Sequence, residues 1–209
     1  MGMDDNSYDM PDLTDRILQS PRQSKRRIVA IAGAPASGKS TLAATLAAAL
    51  NDAGCATQLV PMDGFHLDNR ILAQRGHLDR KGAPHTFDAG GLLQLVAQLG
   101  SDKMIYYPIF DRRLDVSIAG AGQIEPSCDT VVIEGNYLLM DAPIWRDMAA
   151  HWDVSIMLEC PLNVLEGRLV QRWIDNGLTP EKALARTRRN DLPNAQLVIG
   201  TSRVADVIL

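Results

Sequence analysis

The chain has 209 residues, 46% hydrophobic and 22% charged. That is enough to bury one substantial core and short of what two independent domains usually need. A formal net charge of -4 excludes the general basic field of a nucleic-acid binder, although basic residues can still converge locally on a small anion. No apolar run reaches signal-peptide or transmembrane length, so a cytoplasmic protein without a membrane partner is expected.

Residues 1–24 are polar and read as a variable arm with a short helix around 13–18, ahead of a single domain over 25–209. Lys25, Arg26 and Arg27 abut a strand and are expected as its solvated entry. Residues 28–32 form a continuous small and apolar run, suited to a strand buried on both faces of a parallel sheet. After a glycine-rich turn, the alanine- and leucine-rich residues 41–50 predict a helix that stops at Asn51-Asp52-Ala53-Gly54.

A second strand is predicted over 58–62, followed by an unusually long polar loop to about residue 87; loops of that length are commonly functional. A helix follows Asp88 to residue 99, and strands are predicted over 104–110, 130–133, 154–158 and 205–209. Between the last two, helical periodicity runs over 162–176, Gly177 closes it, and Thr179-Pro180 caps a second helix to about Arg189. Strands alternating with helices imply an α/β fold with right-handed crossovers, and ligands at the carboxyl ends of the strands. Cys55, Cys128 and Cys160 show no paired spacing and are expected as structural thiols.

Gly33-Ala34-Pro35-Ala36-Ser37-Gly38-Lys39-Ser40 matches the whole Walker A pattern and lies between a predicted buried strand and a predicted helix. Glycines let the backbone curl so that successive N–H groups point inward, and the helix directs its positive end at phosphates. Lys39 is expected near the β- and γ-phosphates and Ser40 as a magnesium ligand, with Thr41 as a more buried neighbour at the end of the nucleotide-binding run.

Such a loop alone leaves kinase, GTPase and regulatory ATPase open. No Asn-Lys-x-Asp segment is present to read guanine, and the acid closing the 130–133 strand is Glu134 in Glu-Gly-Asn. Asp63, at the carboxyl end of the second strand, reads either as the base that accepts an acceptor hydroxyl's proton or as a turn aspartate before Gly64. Glu134 suits the surroundings of a magnesium ion, and Asp88 reads equally as substrate ligand or helix N-cap. Arg168 and Arg172, four residues apart on a predicted helix, share a face that can clamp a phosphate chain as part of a lid. Arg186, Arg188 and Arg189 are expected as solvated or partly nucleotide-facing. Of His66, His77 and His85 in the long loop, His66 is a candidate substrate contact.

These residues resemble the phosphoribulokinase and uridine kinase family, which includes bacterial-type pantothenate kinase, over roughly residues 28–209. The resemblance rests on the Walker loop, Asp63-Gly64-Phe65-His66, Arg80-Lys81-Gly82-Ala83-Pro84-His85-Thr86-Phe87-Asp88, Pro108-Ile109-Phe110-Asp111, Glu134-Gly135 and Asn190-Asp191-Leu192-Pro193-Asn194. The pattern is most similar to a bacterial group labelled fructose transport system kinases. It implies a P-loop NTPase fold with a five-stranded parallel sheet flanked by helices and a helical lid at about 166–190. It further implies ATP as donor with magnesium, Asp63 as base, Asp88 on substrate hydroxyls, and Tyr107, Phe110 and Asp111 on the acceptor side. Where uridine kinases carry a histidine four residues after that aspartate, this chain has Asp115. The expected partner is a small hydroxyl-bearing metabolite, a sugar ahead of a nucleoside or pantothenate, with a homodimer open. A regulatory ATPase or nucleotide sensor is the competing class.

Overall fold

A computed structural model of the protein describes residues 9–209. Five strands form one parallel sheet: β1 (Arg27–Gly33), β2 (Thr57–Pro61), β5 (Thr130–Gly135), β6 (Val154–Leu158) and the short β7 (Val207–Ile208), in the order β2-β5-β1-β6-β7. β1 and β5 are buried along their whole length, as their unbroken small and apolar runs require. Alternate residues serve opposite faces. Ile28, Ala30 and Ala32 join one core cluster with Val60, Ile133 and Trp145, while Val29 and Ile31 join another with Leu46 and Val154.

That second face is covered by α1 (Met10–Gln19) and α2 (Lys39–Asp52). α1 buries Leu13 and Ile17, and Arg16 donates to the Asp206 carbonyl at 2.8 Å, so much of the expected arm packs on the sheet; residues 1–8 lie outside the described residues. The first face is covered by α4 (Ala89–Leu99) and the segment bearing Tyr137, Trp145 and Trp152. α3 (Asn69–Gln74) and short 3-10 turns give the long loop more order than its polar sequence suggested.

Two expectations need correction. Arg26 and Arg27 are not a solvated strand entry: they are 1% and 4% exposed. The Arg26 guanidinium donates to the Lys103, Glu125 and Cys128 carbonyls at 2.8, 2.9 and 3.2 Å, tying three chain segments together; its planar fork of donors makes such burial tolerable. The strand predicted over 104–110 exists as β3 (Ile105–Asp111), but it pairs antiparallel with β4 (Val116–Ile124) in a separate hairpin. β4 went unpredicted because Ala119-Gly120-Ala121-Gly122 lacks large apolar residues; a side chain at Gly122 would collide with the Tyr107 ring.

The remaining elements are α5 (Leu162–Asp175), α6 (Pro180–Arg186), a π-helical turn (Thr187–Asp191) and α7 (Leu192–Thr201). As expected, Thr179 caps α6 and Gly177 adopts φ 89° after α5. No described helix is long and apolar enough to cross a membrane.

Candidate active site

Strand register decides which residues meet. Ile31 of β1 and Pro61 of β2 both lie opposite Glu134 of β5, so the Walker loop, Asp63 and Glu134 leave neighbouring strands at one edge. They line a single cavity of about 990 Å³, within the range of natural ligand sites.

In the Walker loop the left-handed residues are Ala36 (φ 64°) and Gly38 (φ 103°). Gly33 is required for space instead, since a side chain there would press on Ser37 and the Leu158 carbonyl. Gly38 caps α2 without a side-chain hydrogen bond, leaving the first N–H groups of a 14-residue helix directed at the cavity, an arrangement suited to phosphate.

Burial lowers the Lys39 pKa, while Glu134 and Asp63 pull it back up. Burial likewise raises the Glu134 pKa, opposed by Lys39 and by a hydrogen bond from Ser40. Two buried acceptors beside them, Glu134 Oε2 and Asn136 Oδ1, have no hydrogen-bond partner. Orphaned oxygens next to an exposed serine hydroxyl suit a hydrated cation held mainly by phosphates, the usual manner of magnesium in such sites. Thr41 is exposed and lines the cavity, contrary to its expected burial.

Asp63 sits on a 3-10 turn, Met62–Phe65, directly after β2. Its Oδ2 accepts from Arg112 at 2.5 Å, and its Oδ1 lies 3.9 Å from His66 Nε2. His66 stacks on Phe87 at 4.0 Å and tilts against Phe110 at 4.8 Å. Burial among these rings lowers its pKa to about 4 despite the nearby Asp63 carboxylate, so it is neutral near pH 7.

Further along the same wall, Lys81 Nζ donates to Asn69 Oδ1, Asp115 Oδ1 and the Asp115 carbonyl at 2.7, 2.9 and 3.1 Å, and lies 4.9 Å from the Phe110 ring centre. Asn69 Nδ2 donates to Asp115 Oδ2 at 2.7 Å. On the helical side, Arg172 and Arg186 line the cavity with Trp173 and Asp191. Arg186 stacks over the Trp173 ring at 4.0 Å, and Trp173 Nε1 donates to Asp191 at 2.6 Å.

Several anticipated positions fall elsewhere. Asp88 is the N-cap of α4, accepting the Gly91 N–H at 2.9 Å, and lies off the cavity lining. Tyr107 is buried beneath the hairpin with its hydroxyl donating to the Leu59 carbonyl at 3.0 Å, which removes it from the acceptor side. Asp111 accepts the Arg113 and Leu114 N–H groups and shapes the hairpin turn. Arg168 does not share the cavity with Arg172; it reaches the Ala36 and Ser37 carbonyls at 3.4 and 3.3 Å and braces the Walker loop from behind. Phe110, His66 and Arg172 do face the cavity. Arg112, Asn69, Lys81 and Asn136 were not anticipated there; the run around Lys81 was noticed only as a resemblance. Arg188 pairs with Glu166 and Arg189 with Asp79 at the surface.

Residues 28–177 match the family model for the phosphoribulokinase / uridine kinase family. A solved structure from Silicibacter sp. TM1040, named provisionally as a fructose transport system kinase, is 51% identical with a TM-score of 0.93, covering 97% of this chain and 99% of the other. A protein of Schizosaccharomyces pombe, named provisionally as a uridine kinase, is 33% identical over 99% of this chain and 91% of its own length. Pantothenate kinase from Mycolicibacterium vanbaalenii is 30% identical over 77% of this chain, which spans 54% of that relative.

Proposed function

Because the chain belongs to the phosphoribulokinase / uridine kinase family of P-loop kinases, we propose that it transfers the γ-phosphoryl group of ATP to a hydroxyl of a small metabolite, with a sugar such as fructose as the leading acceptor. The observation that carries this reading is the meeting of the Walker loop, Asp63 and Glu134 in one cavity at the carboxyl edge of the sheet. An ATPase that only hydrolyses also orients its nucleophile, a water, but has no need of an aromatic and polar wall beyond that residue.

The α2 N-terminus and Lys39 hold the phosphates. Ser40 and Glu134 would hold magnesium, which supplies neutralisation of phosphate charge when bound. The acceptor oxygen attacks the γ-phosphorus as the bond to the β–γ bridging oxygen breaks; its proton passes to Asp63 and ADP leaves. Arg172 and Arg186 offset the charge that develops, and Arg168 keeps the loop in shape. A cytoplasmic location and a part in carbohydrate metabolism belong to the same proposal. The names of the relatives support uridine and pantothenate as alternative acceptors.

The test is ADP release with saturating ATP and magnesium against a panel of sugars, nucleosides and pantothenate, with mass detection of the product. A phosphorylated sugar at a rate at least about tenfold over hydrolysis is expected. Release that answers to a protein partner and to no small acceptor would move the chain to the regulatory ATPases.

A further inference from the structure

Beyond Asp63 the cavity wall is a continuous chain of contacts. His66 lies 3.9 Å from Asp63, Phe110 4.8 Å from His66, and Lys81 4.9 Å from Phe110; Lys81 and Asn69 then grip Asp115. We infer that Asp115, pinned by Lys81 and Asn69, is the acceptor-selecting residue, and that the acceptor is an uncharged polyol presenting two neighbouring hydroxyls. The inference rests on the kinase reading above.

The hydrogen-bond inventory of this cluster points that way. An ammonium has three protons, and Lys81 spends all three on Asn69 and Asp115. It therefore fixes the Asp115 carboxylate and has none left for a ligand. The carboxylate takes one bond on each oxygen, from Lys81 on Oδ1 and from Asn69 on Oδ2, while its side chain remains 52% exposed on the cavity wall. Each oxygen has a second lone pair, and two adjacent hydroxyls match that pair of acceptors. Asp115 also holds φ 57°, a sparsely populated conformation for a residue with a side chain that here persists under three side-chain bonds.

Charge indicates a neutral ligand. Both cations on this wall are paired with carboxylates, Lys81 with Asp115 and Arg112 with Asp63. Arg172 and Arg186 stand on the opposite, helical side with Asp191. On this wall a carboxylate- or phosphate-bearing acceptor would meet only cations already engaged by carboxylates and would face Asp115 itself. The Phe110 ring between Asp63 and Asp115 offers an apolar surface to the C–H face of a sugar.

The experiment measures kcat and KM separately for D-fructose, D-ribose, 2-deoxy-D-ribose and uridine, and for the anions D-glycerate and pantothenate. It uses the full chain and its Asp115→Asn and Asp115→Ala variants, with ATP affinity by calorimetry on each. An uncharged diol is expected to be turned over, uridine separating a nucleoside from a free sugar as its source. Loss of one of the two hydroxyls should lower kcat/KM tenfold or more. Both variants should raise KM for that acceptor ten- to a hundredfold with kcat within about threefold, as expected for lost charge-assisted hydrogen bonds in binding. Preference for D-glycerate or pantothenate, or an unchanged KM in variants that still bind ATP, overturns the inference and leaves the kinase reading standing. ATP binding with no acceptor turned over removes both. If the variants lose ATP affinity, the comparison of ribose with deoxyribose on the unaltered protein decides: equal kcat/KM overturns the inference.

Discussion

Lys39 and Glu134 each sit in surroundings that disfavour their own charge and favour the other's. An incoming triphosphate would add negative charge beside Lys39 and favour its charged form, and a cation held beside Ser40 would favour that of Glu134. His66 behaves differently. Its pKa lies at about 4 because it is packed between Phe87 and Phe110, below the roughly 6.5 of an unfolded histidine. Between those values the unfolded chain binds the extra proton, so His66 costs stability as pH falls and is silent above pH 7. The protein should lose on the order of 3 kcal/mol more between pH 6.5 and 4 than a His66→Phe variant. Urea unfolding of both proteins across that range checks this, and parallel stability curves would contradict it.

At the scale of elements, the turn that carries Asp63 is held by close packing on the hairpin. A Cβ at Gly64 would run into the Pro108 carbonyl of β3, and backbone cannot give way as a side-chain tip can. Gly64→Ala should therefore cost about 3 kcal/mol and raise acceptor KM as Asp63 is displaced, measured by thermal unfolding and steady-state kinetics. A fully stable variant would mean that the turn and hairpin are not in contact. The π-helical turn makes the corresponding link on the other side. Asn190 donates to the Lys81 carbonyl at 3.0 Å and Arg80 to the Arg189 carbonyl at 2.6 Å, fastening the segment that follows Arg186 to the loop that carries Lys81. Single π turns of this kind often mark functional positions.

Across the whole molecule, what was legible in the amino-acid order is what local rules determine. Runs such as Ile28-Val29-Ala30-Ile31-Ala32 can be little else than doubly buried strands, and the acids that end two further strands fall at the edge where α/β proteins bind ligands. The cavity wall proposed to receive the acceptor was not legible because its bonds join residues 34, 46 and 49 positions apart, Lys81 to Asp115, Asn69 to Asp115 and Arg112 to Asp63. No periodicity reports such pairings. Arg168 was misplaced for a related reason: helical spacing puts it beside Arg172, while its reach to the Ala36 and Ser37 carbonyls depends on how α5 docks. The buried Arg26 was hidden because a charged residue before a strand ordinarily faces water.

The proposed role of Asp63 is to act as the base on an acceptor hydroxyl opposite the Walker loop. Its most direct test is acceptor-stimulated ADP release by Asp63→Asn at saturating ATP. A fall in kcat of about 10² to 10⁴ with ATP affinity retained is expected, the usual range for a lost general base. Unchanged turnover in the variant would contradict it.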